Sequence, residues 1–348
     1  MSIIKKRANG VTEAASPLRQ RLEQAMVQNQ QKFRAAFFMA VLAVQVGVQP
    51  MVTRRFVGKD ASKLSCVFGI EVFKLATCIG GLLADGKLKE VLSTWDIRTS
   101  FLAAGLPATI YAIQSMFIQV AYQSLDSVVF NIMNQTKVMW TALFVYALCG
   151  RAQSWQQCIA ICLLVSAAFL ASDQDSDHEA ASGLQYHTGL IAILIASGMS
   201  GVAAALSELA LRRWKRNSYL FSAELSIYSM FVLIFSLAMN VRGELDHMNE
   251  RGLFHGMTAW SAIPLCMQAM GGVCIGQVTQ YAGSVAKGFS LIAGIIISSI
   301  IRVVMTGQGL SLQLLLAIPI ACSSIWMHST FPPPKTPAAQ EAETKKEK

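Results

Sequence analysis

The sequence predicts an all-α integral membrane protein, and three observations support this prediction. The chain has 348 residues, of which 53% are hydrophobic and only 14% are charged, whereas soluble domains carry about 25% charged residues. The apolar residues gather into runs of about 20, the length that a membrane-spanning helix needs. The charged residues lie mostly between these runs and at the two ends of the chain. Because the basic residues follow the membrane topology, the net charge of +9 does not indicate a nucleic-acid partner.

Ten segments predict transmembrane helices. Several are interrupted by polar residues or glycine, which suits helices that line a water-filled cavity. The first is cut by Pro50, and the ninth has a polar entry. Helices 1–5 occupy about 36–172 and helices 6–10 about 188–329 of a membrane domain spanning 36–329. The ten segments are approximately 36–53, 64–84, 101–122, 128–149, 156–172, 188–210, 220–241, 259–281, 288–306 and 311–329.

The distribution of lysine and arginine predicts the orientation. With ten spans, both termini and every second loop lie on one side of the membrane, and that side holds 19 basic residues against six on the other. Positive charge marks the cytosolic face. We therefore expect both termini to be cytosolic, with an N-terminal tail over 1–35 and a C-terminal tail over 330–348.

The chain ends in Lys345-Lys346-Glu347-Lys348. Two lysines at the third and fourth positions from a cytosolic C-terminus are similar to a dilysine signal for retrieval to the endoplasmic reticulum, which the COPI coat would bind. The alternative is a solvated basic end, and the sequence leaves both open.

A weak internal repeat relates the two halves. Gln119–Tyr122 leads through Ser127 into the fourth span, and Gln277–Tyr281 leads through Ser284 into the ninth. Helices three and four would then correspond to helices eight and nine, as in a five-plus-five inverted repeat. Transporter sites tend to form where such repeats meet, near the midplane of the bilayer.

Two lysines are the main candidates for chemistry. Lys137 lies about ten residues into the fourth span, and Lys287 opens the ninth. Charge at this depth is costly and tends to mark function, and two cations facing one polar cavity would suit an anionic solute that carries phosphates. Asn134 and Thr141 are spaced to share the helix face of Lys137. The alternatives are a lysine that pairs with a carboxylate for Lys137 and an interfacial position for Lys287.

Further polar residues lie inside apolar runs. Glu71 and Lys74 are spaced i,i+3 and could form a packed ion pair, while Tyr111 and Gln114 share the third span and could contact a base or simply pack. Phosphate-loop, zinc-protease and nucleophile-elbow motifs are absent from the sequence. We therefore expect no enzyme activity, no catalytic residue, no metal and no cofactor.

Several motifs resemble those of the nucleotide-sugar transporters. They are the stretch 105–114, Ser124–Ser127, Asn134-Gln135-Thr136-Lys137 with Thr141, Glu71–Lys74, Gly252–Gly256, and Gly271-Gly272 through Tyr281 to Phe289. The resemblance covers about 36–329. It implies ten helices in two inverted halves, and import of nucleotide sugars into the Golgi or endoplasmic reticulum in exchange for the nucleoside monophosphate.

The resemblance also implies roles for individual residues. Lys137 and Lys287 would contact phosphate, and Glu71 and Lys74 would lie near the sugar or in a gating network. The full set of substrate-binding residues expected here is Glu71, Lys74, Tyr111, Gln114, Ser115, Asn131, Asn134, Gln135, Lys137, Tyr281 and Lys287.

The pattern is most similar to plant-type UDP-N-acetylglucosamine/UDP-N-acetylgalactosamine transporters, which share the first-span residues Gln45–Pro50. Phe130, Asn134 and Ser115 depart from the CMP-sialate and UDP-galactose branches of the family. The expected function is exchange of a UDP-sugar for UMP in the Golgi or endoplasmic reticulum membrane. The alternatives are a CMP-sialic acid or UDP-galactose transporter, another carrier of the drug/metabolite superfamily, and a membrane scaffold for glycosyltransferases; a homodimer is left open.

Overall fold

The computed structural model describes residues 2–58, 61–125, 127–171, 183–239, 252, 255–307 and 311–331, and within them it contains helices and no strands. The predicted all-α class is therefore confirmed for this part of the chain. The helices are α1 (Ser2–Phe56), α2 (Lys63–Ala84), α3 (Leu88–Ser93), α4 (Ile97–Ser124), α5 (Ser127–Gln135), α6 (Lys137–Cys149), α7 (Trp155–Ala171), α8 (Gly183–Glu208), α9 (Ser218–Ala238), α10 (Ala262–Tyr281), α11 (Ser284–Thr306) and α12 (Leu312–Thr330).

Eight of the helices in the described ranges are long and apolar enough to cross a membrane, namely α1, α2, α4 and α8–α12. Helix α7 is apolar but shorter, at 17 residues. The fourth predicted span, expected as one helix over 128–149, is instead broken at Thr136 into α5 and α6. The Thr136 hydroxyl donates to the carbonyl of Met133 (2.6 Å), and such local bonding competes with the regular helix pattern.

Helix α1 differs most from its predicted bounds. It begins at Ser2 and continues through Pro50 to Phe56, whereas composition predicts a tail up to residue 35 and a span that ends at 53. Residues Asn29–Phe56 are the apolar part of this helix. The predicted tail residues from Ser2 onward are thus helical, which agrees with their content of Ala, Gln, Glu, Leu and Arg, all good helix formers. The dilysine end lies outside the described residues.

Two local features shape α4. The backbone N–H of Thr99 donates to the Asp96 carboxylate (2.9 Å), which caps the helix and lowers the pKa of that carboxyl. A π turn follows over Phe101–Gly105 and ends two positions before Pro107. Proline has no N–H to donate, so the regular bonding pattern shifts at this point.

Large apolar side chains cover the outside of the bundle. Phe231, Phe235, Leu312 and Trp326 each expose 61% or more of their surface. In water such a surface would be unstable, whereas lipid solvates it, so these faces contact the hydrocarbon of a bilayer. The protein is therefore an integral membrane protein.

Two helices pack across the bundle onto helices that are distant in sequence. Helix α1 packs against α10 and α11, and α8 packs against α4 and α6. Helix α2 contacts α9 and α10, while α7 contacts α12. The crossing of α1 and α11 is close: a Cβ built on Gly47 would lie 2.5 Å from Ile297 Cγ2, and one on Gly294 would lie 2.7 Å from Val46 Cβ. Only glycine permits this approach of the two backbones.

A buried cluster fixes the region around α6 and α11. It contains Val138 from α6, Ile161 and Leu164 from α7, and Phe289 and Ile292 from α11. Val138 follows Lys137 directly, and Phe289 lies two positions after Lys287. The apolar packing therefore sets the positions of both lysines.

Candidate functional site

The two predicted lysines lie beside the same helix contact. Gly288 packs on Val138, since a Cβ at Gly288 would lie 3.1 Å from both methyl carbons of that valine. Lys287 and Lys137 are the sequence neighbours of this pair. The tertiary structure thus brings together two cations that are 150 positions apart in the sequence.

Lys137 lines a cavity of about 650 Å³ between α1, α5, α6 and α11. Asn134 and Gln135, also predicted, line the same cavity. Two arginines that the sequence analysis did not select, Arg54 and Arg302, line it as well. The remaining lining residues are Val46, Gly47, Pro50, Met51, Val138, Ala171, Gly288, Leu291, Ile292, Ile295, Ser298, Ser299, Ile301 and Met305. Among the described lining residues there are three cations and no carboxylate.

The electrostatics of this cavity favour an anion. Within the part of the chain that the structure describes, Lys137 forms no ion pair, so the predicted alternative of a carboxylate partner finds no support there. Lys137 is also the first residue of α6, where the helix dipole adds partial positive charge. An unpaired cation at membrane depth is costly, and a bound anion would offset that cost.

A second cavity of about 470 Å³ adjoins the first. The two share Val46, Pro50 and Leu291 in their walls, and the second is lined by Glu71 and Lys74. Lys74 Nζ lies 2.6 Å from Glu71 Oε2, and both residues are 9% exposed. The angles at this oxygen do not meet those of a hydrogen bond, so the contact is an ion pair rather than an aligned hydrogen bond. It matches the predicted packed pair, and it also faces a cavity.

Amide side chains complete the second cavity. Gln45, Gln49 and Gln268 lie in its wall. Gln45 donates to Gln49 (3.0 Å), and Gln49 in turn donates to the carbonyl of Pro264 (3.0 Å). The sequence analysis used Gln45 and Gln49 only as family markers. The sequence does contain a signal for these two glutamines: they are four residues apart in an apolar helix, and this spacing places them on one face of the helix.

Five predicted residues do not belong to the described walls of either cavity: Lys287, Tyr111, Gln114, Ser115 and Tyr281. Gln114 is buried, and its Oε1 accepts no hydrogen bond from the described residues. Ser115 is exposed and donates to the carbonyl of Ala112 (2.6 Å).

Tyr281 and Asn131 are the remaining predicted positions. Tyr281 stacks on Phe38 with ring centroids 6.0 Å apart, and its hydroxyl accepts from Arg34 (3.3 Å). It therefore ties the end of α10 to α1. Asn131 lies in α5, and its side chain is outside the described residues.

The C-terminal ends of α1 and α11 line one end of the first cavity. Arg54, Arg302 and Met305 lie there, and all three are exposed. Arg302 could have been found as a charge inside the predicted ninth span, one turn after Ser298. Arg54 lies just beyond the predicted first span over 36–53, and a helix end that lines a cavity cannot be recognised from sequence.

The opposite end of α11 is held by a buried carboxylate. Glu208, only 1% exposed, accepts from the backbone N–H of Ser284 (2.7 Å) and from Arg151 (2.6 Å). Arg212 lies 3.6 Å from the same carboxylate. This cluster therefore holds together α8, the segment before α7 and the start of α11 at that end of the bundle.

A helical membrane protein with a central cavity lined by cations has the architecture of a carrier for anionic solutes. A family profile described as nucleotide-sugar transporter matches residues 29–329. The chain belongs to the nucleotide-sugar transporter family, and the predicted family membership is confirmed.

Named relatives agree with the family. The chain is 35% identical over 303 residues to the UDP-N-acetylglucosamine transporter ROCK1 of Arabidopsis thaliana. The match covers 86% of this chain and 93% of that protein. It is 29% identical over 248 residues to a UDP-N-acetylglucosamine transporter of Rattus norvegicus, with 68% and 72% covered. A UDP-galactose transporter of Schizosaccharomyces pombe is 26% identical over 227 residues, with 64% of each chain covered.

The fold is similar to that of another protein whose crystal structure is known. The TM-score is 0.55, the sequence identity is 12%, and the match covers 85% of this chain and 97% of the other. This likeness concerns the fold alone.

Proposed function

We propose that the protein is an antiporter that imports a UDP-sugar into the lumen of the Golgi or endoplasmic reticulum in exchange for UMP. The observation that carries the proposal is the cavity of about 650 Å³ that Lys137, Arg54 and Arg302 line, with no carboxylate among its described lining residues. A nucleotide sugar carries two phosphate charges, and this wall would stabilise them. The adjoining cavity with Glu71, Lys74 and the amides of Gln45 and Gln49 offers donors and acceptors for sugar hydroxyls.

The proposed topology has ten spans in two inverted halves of five, with both termini cytosolic. The α5–α6 pair forms the fourth span and α7 the fifth. The packing supports this division, because α1 contacts α10 and α11 just as α8 contacts α4 and α6. In a count of ten spans, span 1 contacts spans 8 and 9, and span 6 contacts spans 3 and 4. Each span of the first set lies five positions from its counterpart in the second set, as two repeats of five helices predict.

Exchange follows from the charge of the empty cavity. An unloaded carrier would have to cross between its two open states with Lys137 unpaired in a low-dielectric interior. A carrier loaded with nucleotide has this charge neutralised and crosses more readily. Obligatory exchange therefore needs no further ion, and rocking of one half against the other would move the site between the two faces.

UDP-N-acetylglucosamine and UDP-N-acetylgalactosamine are the favoured substrates. The relative from Arabidopsis thaliana, 35% identical over most of both chains, is a UDP-N-acetylglucosamine transporter. The second candidate is UDP-galactose, which the similarity to the Schizosaccharomyces pombe transporter favours.

Counterflow into proteoliposomes tests the proposal. Purified protein is reconstituted into vesicles preloaded with UMP or with CMP, and uptake of labelled nucleotide sugars is measured. We expect UDP-N-acetylglucosamine uptake to depend on internal UMP and not on CMP. Uptake driven by CMP would instead indicate a CMP-sialic acid carrier, and folded protein that exchanges neither nucleotide would favour the scaffold.

A further inference from the structure

Two buried carboxylates outside the two cavities lie at the same end of the bundle. Glu208 is the last residue of α8 and is 1% exposed, while Glu224 lies in the second turn of α9 and is 4% exposed. A buried carboxylate is costly unless it is paired and hydrogen-bonded. Neither residue belongs to the described walls of the two cavities, so substrate binding does not account for them.

The partners of Glu208 come from both halves of the proposed repeat. Arg212, 3.6 Å away, and the backbone N–H of Ser284, at 2.7 Å, belong to the second half, as Glu208 itself does. Arg151 follows α6 and belongs to the first half, and it donates to the same carboxylate at 2.6 Å. The contact between Arg151 and Glu208 therefore joins the two halves.

Glu224 repeats this arrangement. Arg216, from the second half, donates through Nε to Glu224 Oε2 (2.8 Å). Trp95, which lies between α3 and α4 in the first half, donates through Nε1 to Glu224 Oε1 (2.8 Å). Each carboxylate thus has an arginine from its own half and a donor from the other half.

A native thiol lies next to the first of these contacts. Cys149 is the last residue of α6, two positions before Arg151, and its Sγ donates to the carbonyl of Ala205 (3.6 Å), three positions before Glu208. The thiol is partly buried between one helix of each half. Separation of the halves at this end would expose it, so Cys149 reports their movement without an engineered cysteine.

We propose that the contacts of Arg151 with Glu208 and of Trp95 with Glu224 form a latch that holds the two halves together at the cytosolic end and releases when substrate enters or leaves there. The inference rests on the proposed function, in which one half rocks against the other. Hydrogen bonds to a charged group are stronger than neutral ones, so the latch stabilises the arrangement described above. Arg212 and Arg216 stay with the carboxylates when the halves separate, so release leaves neither carboxylate without a cation.

Labelling of Cys149 with a water-soluble maleimide tests the latch. Purified full-length protein is labelled for increasing times, and each cysteine is followed by peptide mass spectrometry. Arg151→Gln and Trp95→Phe each weaken or remove one donor between the halves. We expect both to speed Cys149 labelling about tenfold or more, the range for loss of a hydrogen bond to a charged group. Trp95 precedes α4 whereas Cys149 ends α6, so the effect of Trp95→Phe would report movement of a whole half.

Arg212→Gln and Trp214→Phe are the matched controls. The first removes a cation from Glu208 within its own half, and the second removes an indole N–H from the partly exposed Trp214 at the same end. Neither should speed Cys149 labelling. A nearby cation favours the reactive thiolate, so loss of the Arg151 charge alone would slow labelling, and faster labelling in Arg151→Gln has to come from separation of the halves.

Two other cysteines show whether each variant is folded. Cys158 is exposed on α7 and should label equally in every variant, whereas Cys78 is fully buried and should stay unlabelled. A variant that labels Cys78 is unfolded, and its Cys149 rate then says nothing about the halves; the other donor variant decides in that case.

The outcomes separate this inference from the proposed function. If wild type exchanges UMP in counterflow while folded Arg151→Gln and Trp95→Phe label Cys149 at the wild-type rate, the latch is wrong and the antiporter stands. An equal rise in Arg212→Gln also overturns the latch. If labelling rises only in the two donor variants but wild type exchanges neither UMP nor CMP, the latch stands and the antiporter fails.

Discussion

At the scale of the residue, Lys137 and Lys74 show how one side-chain type serves two purposes. Lys74 lies 2.6 Å from Glu71, so each charge has a partner. Lys137 has no carboxylate partner among the described residues, and it begins a helix inside the membrane domain. A paired cation holds structure together, whereas an unpaired one is available to a ligand.

This contrast predicts opposite effects of methionine at the two positions. Lys137→Met removes an unpaired charge from a low-dielectric site, so the ligand-free protein should be as stable as wild type or more stable, while UMP binding falls at least about tenfold. Thermal unfolding in detergent, with and without UMP, measures both quantities.

Lys74→Met is the control. It leaves Glu71 as a buried carboxylate without its partner, so the free energy of unfolding of the ligand-free protein should fall by about 3 kcal/mol. This value is at the lower end of the usual cost of breaking a buried ion pair, because both side chains are partly exposed. Glu71→Gln combined with Lys74→Met should recover much of this loss. A Lys137→Met protein that unfolds earlier than wild type would show that Lys137 has a structural partner after all.

At the scale of the element, the close crossing of α1 and α11 positions the cavity. Gly47 and Gly294 bring the two backbones together, and the cavity wall continues along both helices to the exposed arginines. A wider crossing would move Arg54 and Arg302 apart. It would also open the wall between the two cavities, to which Val46 and Leu291 belong.

We therefore expect Gly294→Ala to destabilise the protein by about 1–3 kcal/mol, the usual cost of overpacking, and to reduce counterflow. The added methyl would meet Val46 Cβ at 2.7 Å and the carbonyl oxygen of Ala43 at 2.9 Å. Unfolding temperature and initial uptake rate are the measurements.

Gly80→Ala in α2 is the matched control. Apart from the backbone of its own helix and its chain neighbours, no described atom lies within 4 Å of a Cβ at this position, and alanine is the better helix former by about 1 kcal/mol. This variant should be as stable as wild type or slightly more stable. If Gly294→Ala were equally well tolerated, the crossing would be more adaptable than the distances indicate.

At the scale of the whole molecule, the two ends of the bundle carry different charged groups. Glu208 joins Arg151, Arg212 and Ser284 at one end, while Arg54 and Arg302 line the first cavity toward the other end. In the proposed topology the end around Glu208 faces the cytosol and the end with the two arginines faces the lumen.

The topology predicts that epitope tags on both termini are accessible from the cytosol. In sealed Golgi or endoplasmic reticulum vesicles, added protease should remove both tags without detergent, while a tag inserted in the loop after α7 should be cleaved only after detergent is added. Protection of one terminal tag would contradict an even number of spans.

The sequence by itself determined the membrane class, the helical fold and the family, and it singled out Lys137 as a candidate, because apolar length and isolated intramembrane charge are properties that can be read along the chain. It also predicted the Glu71–Lys74 pair, since three residues separate the partners on one helix. Only the tertiary structure decided the break at Thr136, the cluster around Glu208 and the presence of Arg54 and Arg302 in the wall of one cavity. Each of these depends on local hydrogen bonding or on contacts between helices that are distant in sequence, and a pattern along one chain does not encode the distance between two helices.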